Sequence, residues 1–89
     1  MSKWELRYGP RAAKALGKLD KSVARRIRSK LQRLTELEDP TDGLKPLSGP
    51  LAGLYRLRVG DWRVLVDVQS DALMIVAVDL GHRSGSIYD

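Results

Sequence analysis

Leu54-Tyr55-Arg56-Leu57-Arg58-Val59-Gly60-Asp61-Trp62-Arg63-Val64-Leu65-Val66 is the stretch that decides the fold. Apolar and polar residues alternate over 54–59 and again over 62–68, as in half-buried strands. Gly60-Asp61 joins the two runs, and a glycine at the first central position suits a type II′ hairpin turn. Side chains alternate with period two, so Tyr55, Leu57 and Val59 share one face, as do Trp62, Val64, Val66 and Val68. The opposite face then carries Arg56, Arg58 and Arg63. Further on, 69–71 reads as a turn and 72–80 as a third apolar strand. One of its faces has Met74, Val76, Val78 and Leu80; the other has Leu73, Ile75, Ala77 and Asp79. Parity puts the second set on the arginine side, and Arg83 with it beyond Gly81. That uncovered face would combine guanidinium groups, which hold phosphate in a bidentate way, with an apolar patch of Leu65, Leu73 and Ile75 that a partner can cover. Outward-facing arginines of a solvated sheet remain the alternative for any one of them.

Upstream, residues 4–8 alternate as a short strand ended by Gly9-Pro10. Pro10 suits the first position of a helix over 10–19, with Ala12, Ala13, Leu16 and Leu19 at helical spacing. Asp20 can cap the next helix by accepting from the amides of residues 22 or 23. Val23, Ile27, Leu31 and Leu34 give that helix, 21–38, one apolar stripe. At 1.5 Å per residue it would be about 27 Å long. Residues 39–53 hold Asp39-Pro40 and Gly49-Pro50, which reads as a long loop. Helices early and strands late imply an α+β fold. An N-terminal strand and two helices precede a three-stranded antiparallel meander, with the helices packed on one face of a small sheet.

The chain has 89 residues, enough for one domain spanning 1–89. The absence of cysteine excludes a disulfide scaffold, a thiolate zinc site and a cysteine nucleophile. A single histidine excludes a His-rich metal site. No apolar run approaches the roughly 20 residues of a membrane span. Met1-Ser2-Lys3-Trp4 has no apolar leader, so a cytoplasmic location is expected, with no membrane partner. The net charge is +5 and unevenly spread. Residues 1–38 carry 11 basic and four acidic side chains, a net of +7; residues 39–89 carry five and seven, a net of −2. Lys21, Arg25, Arg26, Arg28, Lys30 and Arg33 lie largely off the apolar stripe of the second helix. They form either a solvated face or a phosphate-contacting one.

The segment 54–66 resembles the central signature of the RelE/ParE toxin superfamily. Leu44-Lys45-Pro46-Leu47 upstream and Gly81-His82-Arg83 through Tyr88 downstream fit it as well. RelE-like members keep a basic residue after the last strand and a tyrosine a few residues on, which Arg83 and Tyr88 match. ParE-like members, which target DNA gyrase, usually lack that set. The resemblance implies a toxin of a type II toxin–antitoxin pair. RelE-like toxins enter the ribosomal A site and cleave mRNA without metal or cofactor. The RNA's own 2′-OH attacks the adjacent phosphate, leaving a 2′,3′-cyclic phosphate and a 5′-OH. The alternatives are a non-nucleolytic gyrase inhibitor and an inactive antitoxin-binding relative.

That reaction needs a base, an acid and cations on the phosphorane. Arg56, Arg58, Arg63 and Arg83 supply the cations, but arginine is a poor base. His82 has the one side chain that ordinarily titrates near neutrality and is the candidate base or acid. Tyr88 is a candidate for stacking on a base or orienting the 2′-OH. Lys45, in the long loop, joins the helix cations as a candidate for ribosomal RNA. Asp61 reads as a turn residue, and Trp4 and Trp62 as core anchors. The resemblance further implies an acidic, RelB-like antitoxin. It would dock around Leu65, Leu73 and Ile75 or in a groove beside the basic helices, and would carry any operator-DNA binding.

Overall fold

The computed structural model describes residues 3–85. Among them the elements run β1 (Glu5–Tyr8), α1 (Pro10–Gly17), α2 (Lys21–Leu34), β2 (Lys45–Pro46), β3 (Tyr55–Val59), β4 (Trp62–Gln69) and β5 (Met74–His82). The strands form one sheet in the order β1-β5-β4-β3-β2. Neighbours β2 to β5 are antiparallel, whereas β1 returns parallel to β5. The α+β reading and the late meander are thus found, with β2 added inside the expected loop.

Local chemistry explains the helix bounds. Pro10 begins α1, as expected, but the helix ends at Gly17. Asp20 caps α2 through the Ser22 amide at 3.2 Å and also accepts from the Ser22 hydroxyl. The helix stops at Leu34, so it is about 21 Å long rather than 27 Å. The Thr35 hydroxyl donates to the Gln32 carbonyl at 2.6 Å and takes up one of the carbonyls left open at the helix end. Asp39 then starts a short 3₁₀ turn, Pro40–Gly43, by accepting from the Thr41 amide at 3.0 Å. Gly43 lies against Leu34: a Cβ there would stand 2.9 Å from a Leu34 methyl. The loop is therefore packed onto the end of α2 and delivers β2 to the edge of β3.

The helices cover one face of the sheet, α1 against β5 and α2 against β3. Ile27 and Leu31 of α2 are fully buried against Leu57, Val59, Val64 and Val66. Each such side chain contributes about 1.5–3 kcal/mol of transfer free energy. The hairpin face assignment agrees with the register: Leu57 pairs with Val64 and Arg58 with Arg63. Gly60 has φ +59, and Asp61 is not among the residues with positive φ, which fits the II′ turn.

In β5 the face assignment is reversed before Val78 and holds at Asp79 and Leu80. Leu65 pairs with Asp79 but Val66 pairs with Ala77, so Val78 is an extra, bulged residue. A one-residue slip moves every side chain on its far side, here Met74 to Ala77, to the other face. Ile75, expected on the open face, is 0 % exposed within the helix-covered core, and so is Ala77. Leu65 keeps its predicted face yet is only 5 % exposed. Of the expected apolar patch, Leu73 alone is exposed, at 42 %. It lies in the turn before β5, which starts at Met74 rather than at 72. No helix of the described residues is long and apolar enough to cross a membrane.

Candidate functional site

The register gathers most of the proposed site at one end of the sheet. Arg58 pairs with Arg63, Arg63 with Gly81, and Trp62 with His82. The end of β5 is fastened to the hairpin turn by the Arg83 amide, which donates to the Asp61 carbonyl at 2.7 Å. The Arg83 Nε also lies 3.4 Å from an Asp61 carboxylate oxygen. Asp61 is therefore the partner of Arg83 as well as a turn residue, a pairing that strand alternation does not reveal.

The arginines differ in state. Arg58 and Arg83 are exposed. Arg63, expected as a solvent-facing phosphate ligand, is only 5 % exposed. Its Nη1 donates to the carbonyls of Gly60 and Trp62, at 3.0 and 3.1 Å, so its guanidinium braces the turn from within. Arg56 is half-buried one row away, where Lys45, Arg56, Leu65 and Asp79 lie side by side across four strands. Asp79 supplies an acid in that row and also lies 3.5 Å from Arg11 of α1.

His82 is exposed beside Trp62, the rings edge to face with centroids 5.2 Å apart. Its Nδ1 stands 2.8 Å from the Ser84 hydroxyl and accepts from the Ser84 amide at 3.3 Å. Tyr88 lies outside the described residues.

Helix α2 brings further cations to the same end. The Lys30 ammonium donates to the Arg58 carbonyl at 3.2 Å. The Arg26 guanidinium approaches Gly60, within 2.9 Å of where a Cβ would stand. Two adjoining grooves result. One, of about 340 Å³, lies between Arg25, Arg26, Lys30 and Arg33 on the helix and Val59-Gly60 on the hairpin. The other, of about 530 Å³, is lined by Lys30, Arg33, Lys45, Arg56 and Arg58 over a floor that includes Leu34, Leu44 and Leu57. Asp42 is the acidic residue in its wall. Lys21 and Arg28 line neither. Arg28 instead sits within electrostatic reach of Tyr8, whose hydroxyl burial holds above the ordinary tyrosine range against the pull of that arginine. The spacing of 26, 30 and 33 is the sequence signal for the grooved side of α2.

Chemically, this end presents fixed positive charge and one imidazole. It suits an extended phosphodiester, whose charge several guanidinium groups can share. Among the described residues, no cluster of three His, Cys, Asp or Glu side chains is placed to hold a metal ion.

Comparison with known proteins gives a consistent result. The family model described as ParE toxin of the type II toxin–antitoxin system parDE matches residues 6–87. The RelBE2 toxin–antitoxin complex from Mycobacterium tuberculosis contains a chain 25 % identical to this one. The two superpose with a TM-score of 0.81 over 94 % of this chain and 95 % of that one. The archaeal RelE–RelB complex from Pyrococcus horikoshii gives 27 % identity and a TM-score of 0.76, over 97 % and 100 % of the two chains. A YoeB/ParE toxin from Agrobacterium tumefaciens shares the fold at 14 % identity and a TM-score of 0.69, over 88 % and 96 %. No curated protein sequence matches the chain.

Proposed function

The chain belongs to the ParE toxin family of type II toxin–antitoxin systems, within the RelE/ParE superfamily, and from that premise we propose that it is a ribosome-dependent endoribonuclease cutting mRNA in the A site. The observation that carries this reading is the meeting of Arg58, Arg63, Arg83 and the chain's one histidine around the Gly60-Asp61 turn. In the proposed reaction the 2′-oxygen loses its proton and attacks the adjacent phosphorus. The bond from phosphorus to the 5′-oxygen breaks, and that oxygen takes a proton. The products are a 2′,3′-cyclic phosphate and a 5′-OH. Arg58 and Arg83 lie against the phosphate oxygens and stabilise the added charge as it develops. Arg63 keeps the turn rigid so that the others arrive in place. Tyr88 retains its proposed part in stacking on a base. Arg25, Arg26, Lys30, Arg33 and Lys45, which line the grooves, are proposed to grip ribosomal RNA through its phosphates; Lys21 and Arg28, expected to join them, line neither groove and are given no such part.

The partner proposed to restrain the toxin is an acidic, RelB-like antitoxin. The similar chains from M. tuberculosis and P. horikoshii are found in such toxin–antitoxin complexes. The groove that combines Lys30, Arg33, Lys45, Arg56 and Arg58 with Leu34, Leu44 and Leu57 suits an acidic, amphipathic segment. The exposed Leu73 offers an apolar contact outside that groove. Operator DNA would be reached through the antitoxin.

The matched family model carries a ParE description, which favours a second reading: inhibition of DNA gyrase without cleavage. Incubation with programmed ribosomes, with the mRNA ends mapped and identified, separates the two when run beside a gyrase supercoiling assay. Codon-positioned cuts ending in a 2′,3′-cyclic phosphate support the nuclease. Intact mRNA with inhibited supercoiling supports the gyrase reading, and inactivity in both with a tight antitoxin complex supports an inactive binding relative.

A further inference from the structure

A neutral imidazole has one nitrogen that donates and one that accepts, and its neighbours decide which is which. At His82 the deciding neighbour is a backbone N–H. An amide can only donate, and the Ser84 amide points at Nδ1 from 3.3 Å. Nδ1 must then be the acceptor. The Ser84 hydroxyl, 2.8 Å from the same atom, can turn its hydrogen toward it and add a second donor. The proton of the ring is thereby assigned to Nε2. Trp62, edge to face with the ring at 5.2 Å between centroids, limits its rotation.

We propose that Ser84 is a positioning residue that holds His82 as the Nε2–H tautomer, so that His82 meets the RNA phosphate as a neutral hydrogen-bond donor and does not take the 2′-OH proton. The second half of this proposal rests on the endoribonuclease reading; the first half does not. The basic lone pair of the ring is on Nδ1 and already receives the Ser84 hydrogens, so it faces Ser84 and not the substrate. Serving as the acid from Nε2 would first require a proton on Nδ1, which would set one N–H against another. A donor role has neither difficulty. The Nε2–H donates to a non-bridging phosphate oxygen, and this hydrogen bond strengthens as charge builds up there. No bond to hydrogen is broken at His82 in this step. The proton from the 2′-oxygen passes to solvent, and water supplies the proton to the 5′-oxygen.

Two measurements test the two halves separately. Side-chain ¹H–¹⁵N correlation spectra of labelled protein, recorded where the imidazole is neutral, read the tautomer directly and need no substrate. The expected wild-type spectrum shows Nε2 protonated and Nδ1 bare. Ser84→Ala, which removes one donor, is expected to raise the Nδ1–H population several-fold, and Ser84→Thr to restore the wild-type pattern. A wild-type spectrum with the proton on Nδ1, or a Ser84→Ala spectrum identical to wild type, overturns the proposal. On programmed ribosomes, His82→Gln keeps a donor near the Nε2 position without a basic nitrogen. It should lose no more than about tenfold in cleavage rate, whereas His82→Ala should lose about a hundredfold or more. Equal losses in the two variants overturn the donor role. If wild type cuts nothing while the spectra are as expected, the nuclease reading fails and the Ser84 assignment stands.

Discussion

Arg83 and Asp61 are joined twice, by a backbone hydrogen bond of 2.7 Å and by side chains 3.4 Å apart. The backbone bond carries the end of β5 alongside the hairpin turn and fixes where the residues after His82 begin. The ion pair is exposed on both sides, at 62 and 60 %, so it contributes no more than about 1 kcal/mol to stability. Its main consequence is electrostatic, because the Asp61 carboxylate offsets the charge of Arg83 where phosphate would bind. Asp61→Asn keeps the backbone bond and removes that charge. The expected outcome is a Tm shift below about 5 °C and tighter binding of a short RNA at low salt, read by fluorescence anisotropy. Unchanged binding would show that Asp61 does not modulate the site, and weaker binding that its carboxylate positions Arg83 rather than offsetting its charge.

Arg58 and Arg63 are register partners with opposite expected phenotypes. Arg63 is buried and its Nη1 satisfies two carbonyls of the turn. Arg63→Met leaves those acceptors without their donor and should cost about 1–3 kcal/mol of stability in a urea titration. Arg58 is exposed, so Arg58→Ala should change stability by less than about 0.5 kcal/mol while reducing RNA binding. Equal stability losses in the two variants would contradict the structural assignment of Arg63.

The bulge at Val78 makes an equally sharp contrast between Ile75 and Leu73. Ile75→Ala empties a fully buried position and should cost about 2–5 kcal/mol. Leu73 is exposed and has φ 50, a left-handed conformation that costs a residue with a Cβ about 1–2 kcal/mol. Leu73→Gly is therefore expected to leave stability unchanged or to raise it. Thermal melts of both variants check the pair, and a clear loss in Leu73→Gly would mean that the leucine side chain packs to an extent its exposure does not suggest.

These residues also mark how far the sequence could be read. The hairpin was legible because alternation, a glycine at the turn and apolar facing residues all agree from 54 to 68. The cap at Asp20 was legible because its chemistry is local. The faces of β5 were not, since a bulge adds one residue without any change in an all-apolar run, and everything before Val78 then changes sides. β2 was hidden as well: Lys45-Pro46 has no strand pattern of its own and pairs because the loop is held on Leu34. In the site, residue types pointed to Arg58, His82 and Arg83. The burial of Arg63 and the contact of Ser84 with His82 follow from how the turn and the strand end fold back, which no periodicity encodes.

Asp20 offers a pH-dependent test of the helix cap. Its hydrogen bonds to the Ser22 hydroxyl and then to the Ser22 amide hold its carboxyl below the usual value of 3.8. A group whose folded pKa is lowered stabilises the fold above its unfolded pKa, and that contribution is lost as pH falls through the folded value. Asp20→Ala should therefore lower Tm at pH 7. The gap between variant and wild type should narrow below pH 3.8 and close once the folded carboxyl is protonated. Melts across this range check the sign, and a gap that does not depend on pH would remove the charged cap as the cause.

Arg26, Lys30 and Arg33 present a quantitative test of the grooves. They lie on one side of α2 against the hairpin end, whereas Lys21 and Arg28 lie away from both grooves. If RNA runs along this surface, each phosphate neutralised releases a counterion, and log affinity falls with log salt by about 0.7 per contact on a single strand. Replacing Arg26, Lys30 and Arg33 together by alanine should reduce the slope by about 2, as well as weakening binding at low salt. The same treatment of Lys21 and Arg28 should leave the slope near its wild-type value, although it removes two charges from the same helix. Titrations of a short single-stranded RNA at several salt concentrations make the comparison, with circular dichroism confirming that α2 is intact. If both sets lower the slope in proportion to the charge removed, the RNA responds to net charge alone. A loss confined to Arg26, Lys30 and Arg33 would identify the grooves as its path.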